Sequence, residues 1–190
     1  DENLAGSFNG TLLVATVVVL SFLALYYSGN KLVTKADSSK LAKPVAIALM
    51  ISIGIGLHNF GEGLAIGASV GMGSIAFSTF LIVGFALHNT TEGIAIAAPM
   101  SRGKLMIGKL VALGLIAGSP AIFGAWIGGF AYSPFSSVVF LAVGAGAIFQ
   151  VILVLLKWIK DEGDKTLSSA AVICGFAVGM SIMYLTSIFA

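Results

Sequence analysis

Six side chains in this sequence could do chemistry together. His58, Asn59 and Glu62 lie in the run His-Asn-Phe-Gly-Glu-Gly, and His88, Asn89 and Glu92 lie in His-Asn-Thr-Thr-Glu-Gly thirty residues later. The chain has 2 histidines in all, and these are the two. Imidazole nitrogen with carboxylate oxygen suits zinc, iron, manganese or cobalt, and the lack of a nearby thiolate argues against copper(I). On a helix, His58 and Glu62 stand four residues apart and project from one face; Asn59, three residues before Glu62, lies on a neighbouring part of that face. The same geometry holds for His88, Asn89 and Glu92.

The elements that carry these residues are apolar. Of 190 residues, 58% are hydrophobic and 9% charged, and the mean hydropathy is +1.05. A soluble domain carries about 25% charged residues, so a water-solvated fold is excluded. A bilayer span needs about 20 apolar residues. Six stretches qualify, near 8–27, 44–69, 73–98, 107–131, 137–158 and 168–189. They leave no room for a soluble domain, so the expected fold is all-α: one polytopic transmembrane helix bundle over 1–190.

The two motifs then fall on consecutive spans that run in opposite directions. Like sequence on antiparallel helices implies a local pseudo-two-fold axis in the membrane plane, and transporters built on inverted repeats hold their substrate near the midplane. Opposed helices bring Glu92 to the level of His58, and His88 to that of Glu62. Glycines 61, 63 and 93 leave room for a second helix. Glu62 and Glu92 are the only acids inside spans, and a charge there costs roughly 2.5–3.5 kcal/mol even on lenient scales. Two facing carboxylates therefore call for protons or a cation.

All ten basic residues lie in or beside the connections after the first, third and fifth spans, while 70–72 and 132–136 carry no charge. The positive-inside rule places the basic side in the cytoplasm and both ends of the chain outside, in the cell membrane. The net charge of +2, held in short loops, is no sign of nucleic-acid binding. The chain starts at Asp1, which suggests a partial or processed chain. Pro120, after Gly118 and Ser119, predicts a kink or break in the fourth span, and Pro134 reads as an outer loop. Segment 161–164 reads as a solvated turn, Cys174 as a small packing residue, and Gln150 as a packing hydrogen bond.

At the paired motifs the sequence resembles the ZIP (Zrt/Irt-like) family of divalent-metal transporters. His-Asn-Phe-Gly-Glu-Gly looks like that family's fourth span and His-Asn-Thr-Thr-Glu-Gly like its fifth. Weaker likenesses follow at Pro120–Ala125 for the sixth span, Gly144–Ala147 for the seventh, and Gly175-Phe176 with Met183–Thr186 for the eighth. The six spans would correspond to spans three to eight of an eight-span fold. The resemblance implies a binuclear site: His58, Glu62, His88 and Glu92 at one ion, Asn59 and Asn89 at the other, with Glu62 and Glu92 bridging. Three features depart from many relatives: no acid near Ala121, none near Leu155, and lysines at 31–43 in place of a histidine-rich loop. The first two bear on the second ion and the exit route.

The reading that follows is a transporter, not an enzyme, moving zinc or a related divalent metal (iron, manganese, cobalt or cadmium) toward the cytoplasm. Its partners would be the metal ion and the lipid bilayer, with a homodimer or other membrane subunits compatible with the chain. The competing readings are a non-transporting ZIP-like subunit of a larger complex with a structural metal, an intramembrane metalloenzyme, a proton relay, and a hydrogen-bond network that only holds two helices together. No further base or nucleophile stands out within the spans to favour an enzyme.

Overall fold

The computed structural model describes residues 10–36, 42–101, 106–162 and 169–188. Its elements are α1 (Gly10–Ala36), α2 (Ala42–Gly71), α3 (Ile75–Ala97), a 3₁₀ turn (Ala98–Met100), α4 (Ile107–Phe130), α5 (Pro134–Glu162) and α6 (Ala170–Ile188). No strand occurs among the described residues. The first five helices are long and apolar enough to cross a membrane, and α6 is a shorter apolar helix. In lipid the backbone must satisfy its own hydrogen bonds, which is why an apolar chain of this length folds as helices.

The helices outrun the apolar stretches that announce them. Lys31 and Lys35 lie on α1, not in a loop, and α5 continues past 158 through Lys157, Lys160 and Asp161. Hydropathy reports hydrocarbon thickness, whereas the helix ladder runs on into the headgroup layer, where long basic side chains reach water. Pro134 is the first residue of α5 and not part of a loop; the first helical position needs no N–H. Pro44 likewise sits in the first turn of α2, and Pro99 sits in the 3₁₀ turn that ends α3. Of segment 161–164, Asp161 and Glu162 belong to α5. Residues 163 and 164, like Lys40, Arg102, Lys104 and Lys165, lie outside the described residues.

α2 is the central helix, packed against α3, α4, α5 and, more lightly, α1. Its closest partner is α4, which runs parallel to it. A Cβ on Gly63 would strike the Ala121 backbone, and one on Gly124 would strike the Phe60 carbonyl. Here glycine lets two backbones touch, the usual device of membrane helices. Gly63 opens α2 to α4 and Gly61 faces Leu141 on α5, so both admit a second helix as expected, whereas Gly93 has open space around it. One residue past Glu62, the side-chain direction has already turned about 100° away.

α3 returns antiparallel to α2 through a tight turn at Gly73, whose φ of 74° is the left-handed backbone that glycine adopts freely. Ser69 and Ser78, both buried, share a hydrogen bond of 2.8 Å across the two helices. At the other end Ile47, Ile51 and Ile55 of α2 meet Ile96, Met100, Leu113, Ala117 and Val151 in the main apolar cluster. α5 runs antiparallel to α2, with Phe60 and Phe140 stacked edge to face at 4.9 Å. The alternation collects Lys31, Lys35, Lys43, Lys109, Lys157 and Lys160 at one end of the bundle. α6 touches mainly α3. Cys174 on α6 is exposed and therefore is not the packing residue expected of it.

α4 runs as one helix from Ile107 to Phe130 with Pro120 inside it, so of the expected kink or break, the break does not occur. Proline removes the N–H that the Ile116 carbonyl would accept and crowds the turn before it. The packing against α2 accommodates the loss. The Ile116 carbonyl faces Gly56, where a Cβ would come within 2.6 Å, and the Asn59 amide donates to the Ala117 carbonyl at 3.1 Å. The freed carbonyl thus meets a glycine on the neighbouring helix, and the next carbonyl along gains a donor from it.

Candidate metal centre

The two motifs meet where α2 and α3 face each other. His88 Nε2 lies 2.6 Å from Glu62 Oε1, and His58 Nε2 lies 3.2 Å from the same oxygen. The first contact crosses between helices at the level that an antiparallel register requires. The second is the one-turn contact within α2. The two imidazole centroids are 6.4 Å apart. His58, Glu62 and His88 each offer a ligand atom, and these atoms lie within 4.8 Å of one another. An ion bound tetrahedrally at about 2.0–2.2 Å from each ligand would hold them roughly 3.3–3.6 Å apart. His58 and Glu62 already stand near that spacing, and His88 would draw back from its 2.6 Å contact with Glu62.

Burial makes this cluster costly without a counter-charge. The side chains of Glu62 and His88 are each 8% exposed, whereas that of His58 is 31% exposed, so the cluster opens on the His58 side. Phe85, one turn before His88, stands edge-on to its ring at 5.4 Å and walls it off. The His88 imidazole also reaches the Gly84 carbonyl one turn back. A metal-binding histidine commonly donates its second N–H to such a carbonyl, which orients the ring and leaves the first nitrogen as ligand.

The remaining three residues stand around this cluster. Glu92 falls outside the 4.8 Å group. Its carboxylate is within electrostatic reach of His58, Glu62 and His88, with the Asn59 amide beside it. Asn59 is 3% exposed. Asn59 Oδ1, Asn89 Oδ1 and Glu92 Oε2 are buried and accept no hydrogen bond. Three buried oxygens without a donor are what an oxygen-ligated cation would satisfy, since each such atom otherwise carries its desolvation cost alone. Asn59 is oriented for this: its nitrogen is committed to Ala117 of α4, which leaves its oxygen as the free atom.

Sequence reasoning missed the Ala117 carbonyl and the Phe85 wall. The signal for Phe85 was its place three residues before His88. Ala117 could not be found without knowing that α4 packs parallel to α2. Gln150, expected to make a packing hydrogen bond, is 1% exposed, and its Oε1 has no hydrogen-bond partner. It lies on α5 beside Gly54, one helical turn from His58 toward the lysine-bearing end. Compared with protein-family models, curated proteins and solved structures, the chain has no match.

Proposed function

We propose that this chain is a ZIP-like transporter that carries Zn²⁺, or a related divalent transition metal, through the bilayer toward the lysine-bearing, cytoplasmic end. In this reading the six helices are six spans of an eight-span fold, with both ends of the chain outside. The observation that carries the proposal is the convergence of His58, Glu62 and His88, from two antiparallel apolar helices, within 4.8 Å.

The chemistry follows from the donor set. The ion takes the two Nε2 atoms and Glu62 Oε1, and the proton held between imidazole and carboxylate leaves as it binds. Asn59 Oδ1, Asn89 Oδ1 and Glu92 form a second position made of oxygen alone, with the carboxylates bridging. No acid stands near Ala121, so this second ion binds more weakly. The first position is compact, which favours an ion that sheds its water for nitrogen and carboxylate ligands. Because binding displaces protons, affinity falls as pH drops through the imidazole and carboxylate range and recovers as pH rises.

The test is flux. Purified protein in liposomes loaded with a zinc-responsive dye should admit zinc, more slowly at acid pH, and Glu62→Ala should abolish the signal. Stoichiometric metal without flux would point to a structural ion in a non-transporting subunit. Neither metal nor flux would leave the polar repeat as a helix-packing device and end the transporter reading.

A further inference from the structure

From Glu62 and His58 toward the lysine-bearing end, the same ridge of α2 continues one turn at a time through Gly54 and Met50. Neither carries a strong ligand. At about 1.5 Å per residue, an ion leaving His58 still has roughly 22 Å to travel before the level of Lys43. A divalent cation crossing that length with no ligand would bear its whole desolvation cost.

Among the described residues, two buried polar side chains lie on this side of His58: Ser52 on α2 and Gln150 on α5. Ser52 donates its hydroxyl to the Ala48 carbonyl at 2.9 Å, so it is spent on its own helix. Gln150 is 1% exposed, and its Oε1 has no hydrogen-bond partner. A glutamine kept only for packing would have found a donor, since an unmet buried acceptor is costly.

The surroundings of Gln150 say what its oxygen is free to do. Oε1 lies at Gly54, 3.1 Å from the place a Cβ there would take, beside the Val151 methyl and the Ala147 carbonyl oxygen. None of these is a donor, so nothing in the niche holds it. The same side chain lines a cavity of about 170 Å³ between α1, α2 and α5, with Met50 on its wall. That volume takes an ion with several waters. The last torsion of glutamine is broad, so the oxygen can turn from the niche to the cavity. An uncharged oxygen also suits passage, because a conducted ion must be held firmly enough to enter and weakly enough to leave.

We propose that Gln150 is a transit ligand: its carboxamide oxygen receives the divalent ion one helical turn beyond His58 and passes it through the cavity beside Met50. The inference rests on the transport reading of the metal centre.

Zinc uptake into liposomes and zinc titration against a chromophoric chelator, run on the same variants, test it. Gln150→Leu keeps the bulk and removes the oxygen. It should slow uptake about tenfold, the lower end of what losing a supporting polar group costs at a metal site, at unchanged zinc affinity. Because an unmet buried acceptor is gone, its thermal unfolding in detergent should stay level or move up. Ser52→Ala should leave uptake unchanged. Gln150→Glu, which turns the weak ligand into a carboxylate, should add a zinc-binding step; if it does not fold, Gln150→Leu carries the test. Full uptake by Gln150→Leu would overturn the proposal, as would slow uptake accompanied by lower stability or lower zinc affinity. So would an equal loss in Ser52→Ala, or a folded Gln150→Glu with no added step. If the unsubstituted chain admits no zinc at all, the transport reading itself fails, and this inference falls with it.

Discussion

The two copies of the His-Asn-x-x-Glu-Gly pattern carry the same ligand types, yet the bundle treats them differently. The α2 copy is engaged on several sides. Glu62 Oε1 meets both imidazoles, and Asn59 donates to α4. Backbone packing presses in from α4 through Gly63 and from α5 through Gly61. The α3 copy reaches across with His88, and its Glu92 carboxylate stands beside the Asn59 amide. Its Asn89 Oδ1 and Glu92 Oε2 lack partners, and Gly93 touches nothing. One motif is therefore scaffold as well as ligand, while the other supplies oxygens still free to take a cation. What separates them is position: α2 is central, and α3 is held mainly by α2.

The largest effect expected from this asymmetry is on metal affinity. Glu62→Ala removes the oxygen shared by both imidazoles and leaves His88 buried without its partner. Loss of even a residue that only supports a metal ligand costs 10–100-fold, so this variant should lose roughly 100-fold or more. Glu92→Ala, which removes a more distant carboxylate, should lose nearer tenfold. Titration of the purified chain against a chromophoric zinc chelator reads both. Equal losses would mean that the two copies contribute symmetrically and that their different surroundings do not matter.

Much of this was legible in the residues alone, and the parts that were not share a cause. The register of Glu62 with His88 follows from spacing on two antiparallel helices, so sequence reaches it. The helix ends do not follow, because Lys31, Lys157 and Asp161 continue a backbone ladder beyond the apolar stretch that marks the span. The glycines advertise close packing but not its partner: Gly63 reads as room for a second helix, and that helix is α4. Pro120 reads as a kink or break, and the helix stays continuous; the donor on Asn59 and the gap at Gly56 belong to a neighbouring helix, and a local rule cannot see them. Sequence reached what one helix or one antiparallel pair decides. It did not reach what depends on which third helix packs alongside.

The next effect, on stability, separates the two copies through glycines one residue after their glutamates. Gly63→Ala drives a methyl into the Ala121 backbone. Overpacking of this kind costs about 1–3 kcal/mol. Gly93→Ala places the same methyl in open space. It should be neutral or stabilise by up to about 1 kcal/mol, the usual gain of alanine over glycine within a helix. Thermal unfolding in detergent should therefore move in opposite directions for the pair. A matching drop in both would show that α3 is packed as tightly as α2 and would erase the contrast.

The smallest effect is the most diagnostic, because it divides the two ends of one side chain. Asn59 gives its nitrogen to the Ala117 carbonyl, in the turn loosened by Pro120, and keeps its oxygen free. Losing this donor should cost about 1 kcal/mol of stability, the usual net worth of one hydrogen bond. Asn59→Ala should lose the bond and also weaken the second, oxygen-only metal position. Pro120→Ala restores an N–H to that turn and relaxes it. The cost of Asn59→Ala should then shrink by about 0.5–1 kcal/mol in the Pro120→Ala background, a coupling that a double-mutant cycle in detergent can resolve. Additive effects of the two substitutions would mean that the Asn59 amide does not hold the turn. Asn59 would then keep a role only through its free oxygen, and the α2 copy would be no more structural than its counterpart on α3.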